Sequence, residues 1–348
     1  MINKPLLDWY DANARTMPWR IPPIDSVNGV RPDPYHIWLS EVMLQQTTVA
    51  AVIRYFLVFQ RRWPDVHALA SADDADVMGE WAGLGYYARA RNLLKCARLI
   101  SEEYGGKFPD TEAELLSLPG VGPYTAAAIL AIAFDRQATV LDANVERVVS
   151  RLYAVKAPLP DSKESLRKLA GRLTPIKRPG DYAQAVMDLG ATICSQKPKC
   201  EICPIASRCM AHKHGIAADL PKKRPKPAKP TRYGIAYMVQ RADGAILLET
   251  RPEKGLLGGM LALPTTEWNE ETAMAAPPIK AKWSSLATPV KHTFTHFHLL
   301  LTVRTASVDM SSTPTRGQFE LPTTATSGKL PTVMRKAYSA GLTAIGVE

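Results

Sequence analysis

The sequence predicts a multidomain α and α+β protein, with a many-helix N-terminal domain followed by a smaller α+β domain. At 348 residues the chain is longer than one ordinary hydrophobic core requires. Apolar residues recur at three-to-four spacing up to about residue 210, which indicates helices. The segment DLPKKRPKPAKPTR then interrupts this periodicity with prolines and basic residues, which is typical of an extended linker. The predicted parts are a helical domain at 1–218, a linker at 219–232 and an α+β domain at 233–348.

Within the helical domain, the segment WLSEVMLQQTTVAAVIRYFLVFQRRW, residues 38–63, is predicted as helix that ends before Pro64. In the second domain, YGIAYMVQR, AILLETR and HFHLLLTVRT are predicted as strands, and RKAYSAGLTAIG as a closing helix. Three pairs have the spacing of a capping box that opens a helix: Ser71 with Asp74, Thr111 with Glu114, and Asp161 with Glu164.

The charge balance is basic, with a formal net charge of +10. Such a balance favours a polyanionic partner, since lysines and arginines that meet phosphates release counterions. Solubility alone could also explain it. No apolar run reaches the roughly 18 residues of a membrane span, and the first residues lack the pattern of a signal peptide. We therefore expect a cytoplasmic protein without membrane association.

Four of the five cysteines fall within sixteen residues, in the pattern Cys-x5-Cys-x2-Cys-x5-Cys. Clustered cysteines in a cytosolic chain favour a metal site over disulfides. The spacing alone leaves tetrahedral zinc and an iron–sulfur cluster equally open. The ligands in either case are Cys194, Cys200, Cys203 and Cys209.

A glycine turn between two helices is predicted in LLSLPGVGPYTAAAILAIAF, residues 115–134. Gly120, Val121 and Gly122 form the turn, and glycines there allow close approach of a partner to the backbone. The amides at the start of the second helix suit a DNA phosphate. By composition alone, an ordinary helix–turn–helix corner explains the segment as well.

Two acidic residues are candidates for chemistry. Asp142 stands where an apolar stretch turns into a helix, and helix capping alone would explain it. Glu41 lies among apolar residues, where exposure is the usual outcome for glutamate. If Glu41 is buried, desolvation raises its pKa and suits it to act as a general acid. Two carboxylates in different surroundings can supply an acid and a charge stabiliser, as glycosidic-bond cleavage requires.

Together, WLSEVMLQQTTV, GLGYYARARNL, LPGVGPYTAAAI, VLDANVERV and the cysteines resemble the MutY family of DNA glycosylases, which is related to endonuclease III. The resemblance covers nearly the whole chain. It implies an all-α helix–hairpin–helix domain with a 4Fe-4S cluster loop at 194–209, followed by a Nudix-like domain. It further implies a monomeric, nucleoid-associated repair enzyme of bacterial type. The first cysteine gap has five residues, whereas this family usually has six.

The resemblance also implies residue roles. Glu41 would protonate the adenine, and Asp142 would stabilise the positively charged sugar, with Tyr124 and Asn144 in support. Endonuclease III has a lysine at the position of Tyr124, where the amine forms a Schiff base with the sugar. Tyrosine cannot form that base, so the resemblance favours hydrolysis without a lyase step.

The expected substrate is double-stranded DNA that contains adenine opposite 8-oxoguanine or guanine. Gln46 matches a side chain that wedges into the duplex, and Tyr87 matches an aromatic inserted beside the lesion. Without the resemblance, Gln46 would be an exposed helix residue and Tyr87 a core residue. The DNA contacts implied for the helical domain are Gln46, Thr47, Leu84, Tyr87, Arg89, Arg91, Gly120, Val121 and Gly122.

In the second domain, GLLGGMLALP, residues 255–264, resembles a segment of the MutY C-terminal domain. No acidic Nudix box follows Pro264, so pyrophosphate hydrolysis is not expected. Phe294, Thr295 and His296 resemble the loop that reads 8-oxoguanine, with threonine in place of serine. The linker 219–232 is a candidate contact for other repair proteins.

Two other functions stay open from the residues alone. The chain could be an endonuclease III-like glycosylase and lyase, or a DNA-binding protein that senses damage without chemistry. Trapping of a covalent lysine adduct would favour the former, and binding without turnover the latter.

Overall fold

A computed structural model describes residues 2–225, 227–252, 255–322 and 326–346. The chain divides into two compact units, Met1–Pro225 and Lys226–Glu348. The division falls inside the predicted linker 219–232. None of the described helices is both long and apolar enough to cross a membrane.

The first unit is helical, as predicted, and has one large hydrophobic core. Helix α12 lies at its centre, because every residue from Pro179 to Gly190 is buried, and it packs against α1, α9 and α10. Three short 3-10 helices follow α12 at Cys200–Ile202, Ala206–Arg208 and Ala217–Asp219. The α-helices described in this unit are α1 (Asn3–Asn13), α2 (Pro23–Val27), α3 (Pro34–Leu44), α4 (Val49–Arg62), α5 (Val66–Ala70), α6 (Asp74–Glu80), α7 (Ala88–Glu103), α8 (Glu112–Ser117), α9 (Pro123–Ile132), α10 (Ala143–Leu152), α11 (Lys163–Leu173), α12 (Pro179–Thr192) and α13 (Met210–Lys213).

The predicted helix over residues 38–63 is two helices, α3 and α4, separated by a turn. Gln46 in this turn has a φ of 58°, a left-handed conformation that ends the helical path. Thr48 then caps α4 by accepting a hydrogen bond from the Ala51 amide. The turn is so short that the apolar spacing continues through it, so the periodicity did not reveal the break.

Of the three residues predicted to begin capping boxes, only Thr111 caps its helix. Thr111 accepts a hydrogen bond from the Glu114 amide and donates one to its carboxylate. Ser71 instead ends α5, and Asp73 caps α6. The helix predicted to open at Asp161 begins one residue later, after Ser162, without a side-chain cap. Where several polar residues adjoin, spacing does not decide which one reaches the free amides.

The first half of the predicted linker packs on the helical unit. The Leu159 amide donates a hydrogen bond to the Lys222 carbonyl at 2.8 Å. The Leu159 carbonyl accepts one from the Arg224 amide at 3.0 Å. Arg224 also pairs with Asp161 at 2.7 Å. At the other end, strand β1 already begins at Thr231 (below). The segment 219–232 therefore divides between the two units.

The second unit is a twisted sheet covered by a C-terminal helix, which matches the predicted α+β class. The described strands are β1 (Thr231–Arg241), β2 (Ile246–Thr250), β3 (Leu261–Ala262), β4 (Ser284–Ser285), β5 (Val290–Thr293), β6 (His298–Val308) and β7 (Gln318–Glu320), with helices α14 (Thr326–Lys329) and α15 (Thr332–Ile345). The order is β3-β2-β1-β6-β4, with β5 also on β6 and β7 on β2. The central pair, β1 and β6, is parallel, with Thr231 opposite His298. Helix α15 packs closely on this pair, since a Cβ at Gly341 would lie 2.6 Å from Met238.

Candidate active site

Glu41 lies on α3 and is buried, with only 5% of its surface exposed. Burial raises the pKa of Glu41 to about 7, and the nearby Asp142 charge adds to the rise. The Tyr124 hydroxyl and the Arg20 guanidinium act in the opposite direction. Its Oε2 atom has no hydrogen-bond partner among the described residues. Glu41 can therefore carry a proton near neutral pH, with one oxygen available to another group.

Tyr124 lies in the first turn of α9, directly after the glycine turn. Its pKa is raised well above the usual value by burial and by the charges of Glu41 and Asp142. The hydroxyl consequently stays neutral and lies 3.7 Å from the Met187 sulfur of α12. The structure thus brings Glu41, Tyr124 and Asp142 into one site from three different helices.

Asp142 caps helix α10, as predicted, and both its oxygens are occupied. Oδ1 accepts the Val145 amide at 2.7 Å, and Oδ2 accepts the Asn144 side chain at 2.8 Å. Burial raises the pKa of Asp142, but these two donors, the Asn144 amide and the Arg147 charge all oppose the rise. The carboxylate is therefore held rigidly by groups that favour its charged form.

Asn144 also connects the site to the cysteine segment. Its side-chain oxygen accepts a hydrogen bond from Arg147 at 2.8 Å. Arg147 in turn donates to the Gly190 carbonyl at 2.6 Å and to the Cys194 carbonyl at 2.7 Å. The orientation of Asn144, and through it of Asp142, is thus fixed by the backbone that carries the first cysteine.

A buried ion network that the sequence did not predict lies beside Glu41. Asp188 of α12 is fully buried and accepts hydrogen bonds from Arg20 at 2.9 Å and from the Arg15 side chain at 2.8 Å. Burial alone would raise the pKa of Asp188, but Arg20 and then Arg15 hold it below its usual value. Residues 15 and 20 lie far from residue 188 in sequence, so no local motif could have revealed this network.

The glycine turn is built as predicted, but glycine suits its two positions for different reasons. Gly120 has a φ of 78°, and a Cβ there would lie 2.8 Å from the Asn92 Cβ atom. A Cβ at Gly122 would meet no described atom within 4 Å. Packing within the protein therefore requires glycine at position 120, whereas position 122 faces open space where a partner can approach. Val121 between them is buried.

The two segments predicted to enter DNA lie at the ends of α3 and α7. Gln46 is exposed on its turn, and Thr47 beside it is half-buried. Of the adjacent tyrosines, Tyr86 is 46% exposed with a φ of 50°. Tyr87 packs against the core and precedes α7, and Leu84 is buried. The exposed aromatic is therefore Tyr86, because the left-handed residue reverses the chain and turns its neighbour inward.

Arg89 and Arg91 were predicted as phosphate contacts. Arg89 instead directs its guanidinium into the protein, where it donates to backbone carbonyls of Val42 and Leu84. Arg91 is half-buried on the same helix. The structure does not place the Arg89 guanidinium at the surface, where a phosphate would lie.

The four predicted cysteine ligands line one apolar cavity. Burial and the neighbouring thiols raise the pKa of Cys203 to about 11 and also raise those of Cys200 and Cys209. Such thiols become thiolates only when a cationic group binds them. Among the described residues, no three His, Cys, Asp or Glu side chains are grouped closely enough to hold a single metal ion.

A 4Fe-4S cluster would be bound by one thiolate at each iron and so suits four thiols spread around one cavity, whereas zinc requires four sulfurs about 2.3 Å from one point. The Arg151 guanidinium, which is buried, donates to the Cys194 sulfur at 3.3 Å and would compensate negative charge on it. When bound, the cluster would crosslink the loop. Three basic side chains on this loop are exposed: Lys197, Lys199 and Arg208.

In the second unit, Phe294, Thr295 and His296 form a tight turn between β5 and β6. The Phe294 amide donates to the Phe297 carbonyl at 2.9 Å, and the two phenylalanine rings stack 4.8 Å apart. Lys229 donates to the Phe294 carbonyl at 2.9 Å. Thr295 and His296 are exposed at the tip, whereas Phe294 is half-buried and holds the turn to the core.

Three family models match the chain. The HhH-GPD superfamily of base excision DNA repair proteins matches residues 39–175. The iron–sulfur binding domain of endonuclease III matches residues 195–209, and a NUDIX domain matches residues 235–340. The predicted fold class and the predicted iron–sulfur cluster are confirmed, and the five-residue first gap does not prevent the match.

Proteins named adenine DNA glycosylase resemble most of the chain. The relative from Homo sapiens is 36% identical over 84% of this chain and 64% of its own length. The relative from Mus musculus is 35% identical over 89% of this chain and 71% of its own length. That from Buchnera aphidicola subsp. Schizaphis graminum is 33% identical, over 84% of each chain. The match covers 48% of the Arabidopsis thaliana relative, so this chain spans about half the length of that protein.

Solved structures resemble the helical unit. A thermostable thymine-DNA glycosylase matches with a TM-score of 0.53 and 29% identity, over 61% of this chain and 94% of its own. A trapped endonuclease III–DNA covalent intermediate matches with a TM-score of 0.50 and 23% identity, over 62% of this chain and 95% of its own. The latter likeness shows the fold alone.

Proposed function

Because the chain belongs to the adenine DNA glycosylase family, we propose that it hydrolyses the N-glycosidic bond of adenine opposite 8-oxoguanine or guanine in duplex DNA. The buried Glu41, with a pKa of about 7 and a free oxygen, is the observation that carries the proposal. A carboxyl group of this kind is protonated near neutral pH and can donate to a leaving base.

In the proposed reaction, adenine is extruded from the duplex into the site that holds Glu41, Tyr124 and Asp142. Glu41 donates its proton to a ring nitrogen of adenine. The bond between the sugar carbon and the base then breaks, and the base takes the electron pair. Asp142 stabilises the positive charge that develops on the sugar. Water adds to the same carbon and loses a proton to Glu41, which leaves an abasic site.

Tyr124 supports hydrolysis over a lyase reaction. A lyase needs an amine that attacks the sugar and forms a Schiff base. Tyr124 is half-buried, and its pKa is raised, so the phenol remains a neutral donor beside the two acids. Its position in the first turn of α9 would thus orient the carboxyl groups rather than attack the sugar.

We further propose that the second unit recognises 8-oxoguanine through the tip of the turn at 294–297. Thr295 and His296 present a hydroxyl and an imidazole there, and both can bond to the edge of a base. The stacked rings of Phe294 and Phe297 keep this tip in one conformation. A methyl group on Thr295 adds bulk but keeps the hydroxyl.

The test is a cleavage assay on matched duplexes with adenine opposite 8-oxoguanine, guanine or thymine, followed by alkali. We expect strand breaks with the first two substrates and none with the third. Cytosine opposite 8-oxoguanine is the control without adenine. Absence of adenine release from the first substrate overturns the proposal.

A parallel sample treated with borohydride tests the alternative reaction. Hydrolysis predicts no covalent protein–DNA adduct, whereas a lyase gives a trapped lysine adduct and strand breaks without alkali. Binding of the 8-oxoguanine duplex without any turnover would instead indicate a damage-sensing protein.

A further inference from the structure

Arg89 of α7 is bonded to three separate segments of the helical unit. Its Nη1 donates to the last turn of α3, and its Nη2 donates to the two turns that carry Gln46 and Tyr86. The five acceptors are the carbonyls of Val42 and Met43 at 2.9 Å each, the Thr47 hydroxyl at 3.3 Å, and the carbonyls of Leu84 at 3.0 Å and Gly85 at 3.1 Å.

The Arg89 guanidinium is also enclosed by aromatic rings. Its carbon lies 5.3 Å from the centre of the Trp81 ring and 5.6 Å from that of Tyr86. Burial lowers the pKa of Arg89 to about 10, so the group remains charged at neutral pH. A cation that is half-buried and bonded in this way is unavailable to a DNA phosphate unless these bonds break.

The acceptors of Arg89 lie at the end of a helix and in two turns that contain residues with positive φ values. The last carbonyls of α3 lack partners within the helix, and Arg89 supplies donors to two of them. The turns on either side contain Gln46 and Tyr86, both of which have positive φ values. Residues in this conformation persist only when their surroundings hold them there.

We propose that Arg89 is a positioning residue that fixes the Gln46 turn and the Tyr86 turn as one preformed unit for insertion into the DNA stack. The proposal rests on the proposed function, because it assumes that these two side chains enter a duplex. Arg89 acts through them and does not touch the DNA. All these bonds come from the N–H groups of the two Nη atoms in one planar fork, and the single ammonium of lysine cannot reproduce that geometry.

The test uses Arg89→Lys, which keeps the charge and loses the fork, in the background of Asp142→Asn to prevent turnover. Arg98→Lys is the matched control, because Arg98 lies on the same helix and donates to the carbonyls of Ala70 and Ala72, away from both turns. Insertion is measured by the fluorescence of 2-aminopurine placed next to the 8-oxoguanine, which rises when the base is unstacked.

We expect Arg89→Lys to reduce the fraction of inserted complex about tenfold or more, in keeping with the loss of several hydrogen bonds to a charged group. Affinity for undamaged duplex should be unchanged. Arg98→Lys should match the unsubstituted background in both measurements. An unchanged fluorescence rise in Arg89→Lys overturns the proposal.

Salt dependence separates positioning from phosphate contact. Arg89→Gln removes the charge, and we expect the slope of log affinity against log salt to stay the same. A fall of about 0.9 in the slope would show that Arg89 neutralises a phosphate, and would overturn the proposal. If Arg89→Lys does not fold, Arg89→Gln, which also loses the fork, should reduce insertion in the same way.

Failure of the proposed function gives a different pattern. In that case the Asp142→Asn protein shows no fluorescence rise, and the unsubstituted protein releases no adenine. If the first shows the rise, the second releases adenine and Arg89→Lys retains full insertion, only the role of Arg89 is wrong.

Discussion

Glu41 and Asp142 occupy one site, yet the surrounding protein holds them in opposite ways. Both carboxyl groups are largely removed from water, and burial raises the pKa of each. Asp142 caps a helix, and each of its oxygens accepts a hydrogen bond from a neighbour on α10. Glu41 lies in the middle of α3, and its Oε2 has no partner among the described residues.

Local donors, rather than burial, distinguish the surroundings of the two carboxyl groups. Hydrogen bonds to a carboxylate favour its charged form, so the surroundings of Asp142 preserve an anion. At Glu41 the Tyr124 hydroxyl and the Arg20 charge oppose the rise, but burial still raises the pKa to about 7, which suits a proton donor. Pairs of acids whose surroundings move their pKa values apart are a general basis for acid and anion roles in one site.

The largest expected effect is that of Asp142→Asn. Asparagine still caps the helix, so the fold should be kept, while the negative charge that stabilises the sugar is lost. We expect the single-turnover rate to fall about 10³-fold, with affinity for the 8-oxoguanine duplex largely unchanged. Rapid-quench measurement of adenine release checks this.

Asp73→Asn is the matched control, because Asp73 also caps a helix, through the Ala75 amide, but lies outside the site. It should retain full activity. Equal losses in both variants would show that capping, and not charge at the sugar, explains the role of Asp142.

The second prediction concerns Glu41→Gln and the pH dependence of the rate. The amide cannot donate an acidic proton, so the rate should fall about 10²-fold or more. In the unsubstituted protein, the rate should fall above about pH 7 as Glu41 loses its proton. A single-turnover profile from pH 5 to pH 9 tests both, and a rate that stays constant up to pH 9 contradicts the acid role.

The structure brings the two predicted acids into one site, with surroundings that the sequence did not predict. The position of Asp142 as a helix cap follows from local sequence, and the structure agrees. Whether Glu41 is buried depends on the packing of α9 against α3, which no local pattern encodes. Arg20 and Asp188 illustrate the same limit, because they form an ion pair across 168 positions of sequence.

The turns were predicted less well than the helices. Apolar spacing predicts helices over most of 1–210, since each helix must bury one face. It does not register a turn as short as that at Gln46. Nor does composition decide which of Tyr86 and Tyr87 is exposed, because that choice depends on a single backbone angle. The two segments predicted to insert into DNA are thus the ones where sequence was least informative.

The third prediction is a change in stability with pH. Since the pKa of Glu41 is raised on folding, the folded chain binds this proton more tightly than the unfolded chain. Charging Glu41 therefore destabilises the fold progressively as pH rises from about 4.5 to about 7. Glu41→Gln has no such cost, so its advantage in unfolding free energy should grow by on the order of 2 to 3 kcal/mol between pH 5 and pH 8.

Denaturant unfolding of both proteins at the two pH values measures this difference, and other titrating groups cancel between them. A constant difference would mean that the pKa of Glu41 is ordinary in the folded chain. The contrast between the two acids would then be wrong, even if Glu41→Gln lost activity.

The smallest expected effect is that of Asn144→Ala, which removes one of the donors that hold Asp142 charged. The pKa of Asp142 should rise further, so on acidification Asp142 becomes protonated at a higher pH than in the unsubstituted protein. We expect about a tenfold loss of rate at pH 5 and a smaller loss at pH 7, because one hydrogen bond to a charged group is removed. Asn13→Ala, which removes a side-chain bond to the Trp9 carbonyl on α1, is the control and should leave the profile unchanged. An acid limb at the same pH in Asn144→Ala and in the unsubstituted protein would show that Asn144 does not tune Asp142, and would leave the Val145 amide and Arg147 to explain the difference between the two acids.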